Sequence, residues 1–249
     1  MDIIQTLAQQ LNLTAEQVGK TVQLIDEGNT IPFIARYRKE VTGSLDDSVL
    51  RTLDEKLTAL RNLAQRKQEV QDLIGAQGKL TEEVRAAIER AATVTEVDDI
   101  YRPFRPKRKT RASVARERGL EDLAILLFAQ EKSYTPSIEE QAARFVDPER
   151  EVPDVAAALQ GAMDIVAEEV SDNADYRREL RRLTFDAGSL TSKAAKEEDS
   201  VYAMYYDFSE PLRKLPGHRI LAINRGENEE FLKVALTVPE DVVLGYLYN

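Results

Sequence analysis

The chain contains no cysteine, which excludes disulfides, thiolate metal sites and cysteine nucleophiles. Histidine occurs once, at His218, so a zinc site would have to rest on carboxylates, and none is expected. Glycine and proline are sparse, 11 and 9 in 249 residues, and aromatics make up 6%. That leaves little material for a turn-rich β-barrel. No stretch approaches the ~18 uninterrupted apolar residues of a membrane span. The opening Met1-Asp2-Ile3-Ile4-Gln5 lacks the basic region and apolar run of a signal peptide. No glycine-rich phosphate loop of Walker or Rossmann form occurs. These absences lead to the expectation of a cytoplasmic protein without membrane contact, cofactor or metal.

What is present is helix-forming and charged. Hydrophobic residues make up 43% and charged residues 31%, a balance that fits a folded chain rather than a disordered one. Ala, Leu, Glu, Arg and Gln dominate, all good helix formers. Net charge is −10, but residues 102–118 hold eight Lys/Arg and a single acid, Glu117. That segment is +7 and the remainder −17. Screening over ~8–10 Å mutes the distant acids, so a local cationic field can still attract an anion.

Apolar spacing divides the chain into helices. Ile3, Ile4, Leu7, Ala8 and Leu11 fall at helical intervals. Thr14-Ala15-Glu16-Gln17 forms a capping box for a second helix that buries Val18, Val22 and Ile25 and stops at Gly28. Pro32 opens a short third helix with Phe33, Ile34 and Tyr37 placed on one side. Helix, tight turn, helix is a helix-turn-helix outline. From Ser44-Leu45-Asp46-Asp47 onward, Leu45, Val49, Leu53, Leu57, Leu60, Leu63, Val70 and Ile74 recur every three or four residues until Gly75 and Gly78. This predicts one long helix serving as a spine. Helices are further expected after Thr81 and Thr95, over Leu120–Phe128 and Pro136–Val146, over Asp154–Val170 and Ala174–Asp186, and from about Pro216 to Asn224.

Pro103 and Pro106 oppose regular helix, so the basic run is expected to be extended. Residues 231–238 alternate with β-branched side chains and read as a strand. A lone strand is unstable. Its partner would be a hairpin from Val242–Tyr248 or a sheet supplied beyond residue 249, and the reading favours a chain that continues. The fold class is therefore all-α, with a helix-turn-helix-like N-terminus, one long central helix and a minor β strand or hairpin at the C-terminal end. The expected segments are 1–43, a helical cluster; 44–118, the long helix and basic run; 119–200, a bundle packing on the spine; and 201–249, a connection to a downstream module.

Two groups of residues could contact nucleic acid. The first is Tyr101, Arg102, Phe104, Arg105, Lys107, Arg108, Lys109 and Arg111, in which cations could follow phosphates while the two rings stack bases. The alternative is that these cations pair with acidic helices and hold the fold closed. The second is Arg36, Arg38 and Lys39, placed after the candidate turn. Their helix begins with apolar Pro32-Phe33-Ile34, expected to be buried, which favours packing or a protein contact over DNA readout. His218 reads as a capping or hydrogen-bonding residue, and Arg177, Arg178, Arg181 and Arg182 as a solvated stripe. Adjacent acids at Asp98-Asp99 and Glu197-Glu198-Asp199 diverge on a helix and do not converge on one ion. With no catalytic constellation, the chain is not expected to be an enzyme.

Several stretches resemble the N-terminal region of the Tex family of bacterial transcription accessory proteins. The most specific runs from Asn29-Thr30-Ile31-Pro32-Phe33-Ile34-Ala35-Arg36-Tyr37-Arg38-Lys39-Glu40 to Asp46. Tyr101 to Arg111 matches the family's basic run, Ala156 to Ala162 a further block, and Tyr206 to Leu212 with His218 to Gly226 the tail. The blocks follow family order nearly end to end. The resemblance implies a longer protein with a ribonuclease-H-like module, helix-hairpin-helix motifs and a terminal S1 RNA-binding domain, to which nucleic-acid binding in the family is chiefly attributed. It also implies likeness to the core of a eukaryotic transcription elongation factor that chaperones histones. On this reading the chain is a helical scaffold of a protein that binds RNA and/or DNA and modulates transcription. The rival is a platform that docks on RNA polymerase, other transcription machinery or ribosomal components without touching nucleic acid.

Overall fold

A computed structural model of the chain describes residues 2–106, 109–131, 136–196 and 198–248. Lys107 and Arg108 of the basic run, and Glu197, lie outside the described residues. The chain forms two compact units, Met1–Arg105 and Pro106–Asn249.

The first unit is helical throughout: α1 (Ile3–Leu11), α2 (Ala15–Asp26), α3 (Ile31–Tyr37), α4 (Lys39–Thr42), α5 (Asp47–Ala76), α6 (Glu82–Arg90) and α7 (Val94–Tyr101). Local side-chain chemistry sets the boundaries. Asp2 accepts the Gln5 N–H at 3.1 Å. Thr14 and Gln17 exchange the two hydrogen bonds of the expected capping box. Asp46 accepts the Val49 N–H at 2.9 Å and opens α5. Gly43, at φ +69°, ends α4 in the left-handed conformation that favours glycine.

Helix α5 has 30 residues, about 45 Å of rod, and every apolar cluster of this unit is built on it. Leu53 and Leu57 meet Leu7, Ala8, Val18 and Val22 from α1 and α2. Leu50 meets Leu24, Ile34 and Leu45. Leu63, Val70 and Ile74 meet Ile88, Ala91, Val97 and Tyr101 from α6 and α7. Each fully buried Leu or Ile contributes roughly 1.5–3 kcal/mol. That explains why short helices, marginal alone, are stable here.

The second unit comprises α8 (Arg111–Glu117), α9 (Glu121–Phe128), α10 (Ile138–Ala142), α11 (Val155–Asp172), α12 (Ala174–Ala187), β1 (Ser189–Ala194), β2 (Asp207–Pro211), α13 (Gly217–Asn228), β3 (Leu232–Thr237) and α14 (Glu240–Leu247). Asp154 caps α11 by accepting the Ala157 N–H at 2.8 Å. The buried face of α11, Ala158, Ala162 and Ile165, packs with Ala112 and Ala115 of α8 and with Leu120, Leu123 and Ala124. Small side chains make this approach close. A Cβ at Gly161 would overlap Leu120 Cδ1 and lie 3.3 Å from the Ala115 Cβ.

Two expectations are corrected. The basic run is not extended throughout: Arg102–Phe104 forms a 3-10 turn, and Thr110 caps α8 by accepting the Ser113 N–H at 3.0 Å. The capping hydroxyl and the good helix formers after it outweigh the proline signal. The strand is present as β3, but its partner is β1, antiparallel, with β2 on the other side in the order β2-β1-β3. Residues 240–247 form α14 instead, with Glu240 and Asp241 in the first turn, where carboxylates suit the positive end of the helix dipole. The sheet rests on Ile223 of α13 through Leu232, beside Tyr202 and Tyr205. Among the described residues no helix is long and apolar enough to cross a membrane.

Candidate nucleic-acid interface

Helix α3 is seven residues long and turns one stripe inward. Ile34 is fully buried, and Ile31 and Ala35 pack beside it against Leu24, Leu45 and Leu50. That stripe leaves no room inside for a second. Phe33 and Tyr37, one helical turn apart, therefore face outward with 36% and 56% of their surfaces exposed. The expectation that Phe33 is buried beside Ile34 is corrected by this stripe. The two ring centroids are 5.2 Å apart with planes tilted by 46°. The Arg38 guanidinium lies 5.4 Å from the Phe33 centroid and the Arg36 guanidinium 6.0 Å from that of Tyr37, within cation–π range. Arg38 Nη1 also donates to the Tyr37 carbonyl at 3.2 Å. Among the described residues, none of Arg36, Arg38 and Lys39 has a carboxylate within ion-pair distance.

The described part of the basic run behaves differently. Tyr101 keeps only 8% of its surface exposed and belongs to the α5–α7 core. The Arg66 and Arg105 guanidiniums lie 5.8 and 5.4 Å from its ring centroid, so the expected stacking role is corrected: the ring is spent on packing. Phe104 is half-buried against the same cluster, and its carbonyl accepts from Gln77 Nε2 at 3.0 Å. Arg105 pairs with Asp98 at 3.3 Å, an acid already bonded by Arg66 at 2.6 Å. Arg102 is engaged as well.

In the second unit Arg116 reaches Glu168 at 2.5 Å, Glu169 at 2.8 Å and Glu121 at 3.7 Å. The hydrogen bond with Glu168 raises its pKa further above the ordinary guanidinium value. Thr110 Oγ1 donates to the same Glu168 at 3.1 Å. Arg118 pairs with Glu151 at 2.5 Å, and the hydrogen bond it donates holds the Glu151 carboxyl below the usual carboxylate range. Two cations of the run stay open to solvent. Lys109 and Arg111 have side chains 71% and 86% exposed, each 3.8 Å from its acid, Glu117 and Asp164. Exposed pairs at that distance contribute little.

Of the remaining candidates, the arginines of α12 take structural places, whereas His218 makes none of the expected capping or hydrogen-bonding contacts among the described residues. His218 is exposed in the first turn of α13. Arg178 pairs with Asp175 at 2.9 Å, Arg182 with Glu179 and Asp186 at 2.5 and 2.7 Å, and Arg177 and Arg181 are also engaged. Asp99 is buried, and among the described residues no group of three His, Cys, Asp or Glu could hold a metal ion. An apolar groove of about 860 Å³ in the second unit is lined by Leu127, Phe128, Met163, Val166, Leu180 and Leu244, among others; apolar periodicity marks these residues as core and gives no sign of an open groove.

Two stretches of the chain match family models. Residues 1–75 match the family model described as Tex-like protein N-terminal domain, and residues 133–244 the one described as Tex central region-like. Protein tex of Bordetella pertussis is 43% identical over 243 residues, covering 96% of this chain and 30% of that protein. The transcriptional accessory protein Tex of Neisseria gonorrhoeae is 39% identical over 244 residues, 97% of this chain and 32% of that protein. The S1 RNA-binding domain-containing protein 1 of Homo sapiens is 30% identical over 249 residues, 97% of this chain and 25% of that protein. The chain thus spans between a quarter and a third of the length of these curated relatives. With family models on both stretches and relatives aligned along nearly all of it, the chain belongs to the Tex family.

Proposed function

We propose that this chain is the non-catalytic helical scaffold of a cytoplasmic transcription accessory protein, and that it contacts RNA and/or DNA through cations its own fold does not neutralise. The observation that carries the reading is that, among the described residues, Arg36, Arg38 and Lys39, at the end of α3 and the start of α4, have no carboxylate partner. In an acidic chain, cations left without acids are available to phosphates, whose release of counterions supplies the affinity. Lys109 and Arg111 are secondary contacts, since their side chains are largely exposed and their pairs with Glu117 and Asp164, at 3.8 Å, are weak. The relatives called a transcriptional accessory protein and an S1 RNA-binding domain-containing protein support the class of partner. RNA polymerase or other transcription machinery is the partner this scaffold would serve.

The test is binding of a labelled RNA and a labelled DNA at several salt concentrations, with wild type beside a variant carrying Arg36→Glu, Arg38→Glu and Lys39→Glu. Log affinity should fall linearly with log salt, and the triple variant should flatten that slope by about 2, at ~0.7 per lost phosphate contact on single strands. Equal, salt-insensitive binding by both proteins would overturn the reading. It would favour a protein-docking platform instead, for which the apolar groove of the second unit is the supporting feature.

A further inference from the structure

Resting on that reading, we propose that the outer face of α3 is a stacking site for unpaired bases, so that the ligand is single-stranded nucleic acid and not a duplex. Phe33 and Tyr37 lie outside the buried stripe of α3 and keep 36% and 56% of their surfaces exposed. Ile31, Ile34 and Ala35 already supply the inward stripe, and the two rings stand exposed on the opposite side. Their 46° tilt means they do not stack face to face on each other, and with a guanidinium over one side of each ring a base would take the other side. The aromatic face is the feature every base shares, and only a base outside a duplex presents its own face for stacking. Duplex readout calls for hydrogen-bonding side chains directed at base edges. At the centre of the patch Phe33 has no hydrogen-bonding atom and Tyr37 a single hydroxyl, so edge-reading donors are confined to Arg36 and Arg38 beside the rings, and the duplex arm of the experiment tests them.

The cations complete the site. Arg36 and Arg38 sit beside the rings rather than in ion pairs. Each can take a phosphate on the strand whose base rests on the neighbouring ring, with Lys39 following along the chain. Two rings set the capacity at one or two bases. Specificity for base identity is expected to be low, because stacking tolerates any base.

The experiment uses the full 249-residue chain and three ligands: 12-nucleotide single strands of RNA, one of uridines and one of adenines, and a 12-base-pair RNA duplex. The main variant is Phe33→Leu with Tyr37→Leu, which keeps apolar bulk and charge but removes both aromatic faces. Phe33→Leu alone and Tyr37→Phe accompany it. Tyr37 is more than half exposed and Leu keeps apolar bulk at Phe33, so thermal unfolding of each variant should stay close to wild type. The double variant should lose about tenfold or more in affinity for both single strands, with an unchanged salt slope and duplex affinity held within about twofold. Tyr37→Phe should bind as wild type does. A 2-aminopurine placed in the single strand should change its fluorescence on binding wild type and not on binding the double variant. Equal losses for strand and duplex, or no loss for either, would overturn the stacking site while leaving phosphate contact intact. Should wild type bind none of the three ligands in a salt-dependent way, both readings fall together. If Phe33→Leu alone unfolds the protein, the ring belongs to the core and the proposal is wrong.

Discussion

The cations of α3 and those of the 102–118 run differ in what surrounds them, and the difference separates charge that holds a fold from charge that faces outward. Arg105, Arg116 and Arg118 each have an acid at 3.3 Å or closer, and Tyr101 is buried under two guanidiniums. Among the described residues Arg36, Arg38 and Lys39 have no acid within ion-pair distance, and they share their surface with exposed rings. Density of positive charge in sequence is thus a poor guide to a cationic surface. The +7 segment contributes mainly internal pairs among its described residues, whereas three cations in four positions of α3 and α4 remain available.

The largest effect that could break this contrast is at Arg116. Its side chain is 28% exposed and that of Glu168 only 14%, so Arg116→Ala deprives a mostly covered carboxylate of its guanidinium partner. A cost of about 1.5–3 kcal/mol is expected, as for other charged hydrogen bonds, read as a shift of the urea midpoint with an unchanged slope. Arg36→Ala and Arg38→Ala should each stay within about 0.5 kcal/mol. If the α3 variants destabilise as much as Arg116→Ala, the division between structural and available charge is wrong. A smaller effect is expected at Asp98, where Asp98→Asn removes the acid shared by Arg66 and Arg105. Both donors are on partly exposed ground, so the loss should be about 1 kcal/mol or less. Arg66 keeps Glu69 at 2.8 Å, and the Arg105 guanidinium released by the change should steepen the salt dependence of nucleic-acid binding.

The parts of the fold legible in sequence are those fixed by neighbours in the chain. The Thr14–Gln17 capping box, the Asp154 cap and the long period of α5 are local signals, and each stands where its residues place it. Strand β1 was not legible. Ser189-Leu190-Thr191-Ser192-Lys193-Ala194 has one large apolar residue and becomes a strand only because β2 and β3 flank it, and that pairing is non-local. Val242 to Tyr248 fits helix or strand equally by apolar content, and the first-turn acids decide it. At the candidate interface, the residues were legible but their roles were not. Tyr101 and Phe33 are both aromatic residues beside arginines in sequence, yet one is core and the other surface. Helical phase separates them: Ile31, Ile34 and Ala35 fill the inward face of α3, while α7 needs Tyr101 to close the cluster over Ile74 and Ile88.

The smallest effect concerns pH and sharpens the same contrast. Asp26 on α2 takes two hydrogen bonds from Arg61 on α5, both at 2.8 Å. The hydrogen bond from Arg61 holds its carboxyl below the ordinary Asp value. A carboxyl whose folded pKa is depressed stabilises the fold at pH above its unfolded value, near 3.9. That contribution is lost as pH falls through the lower folded value. Both side chains are nearly half exposed, so solvent screening keeps the contribution well under 1 kcal/mol. Urea midpoints for wild type and Asp26→Asn should therefore differ slightly at pH 7 and converge on acidification below about pH 4. Arg36→Gln and Arg38→Gln remove cations that no carboxylate answers among the described residues, so the difference between those variants and wild type should stay flat across the same range. A difference that grows or vanishes with acid would reveal a carboxylate partner for α3, and the surface would then belong with the structural charges of the basic run.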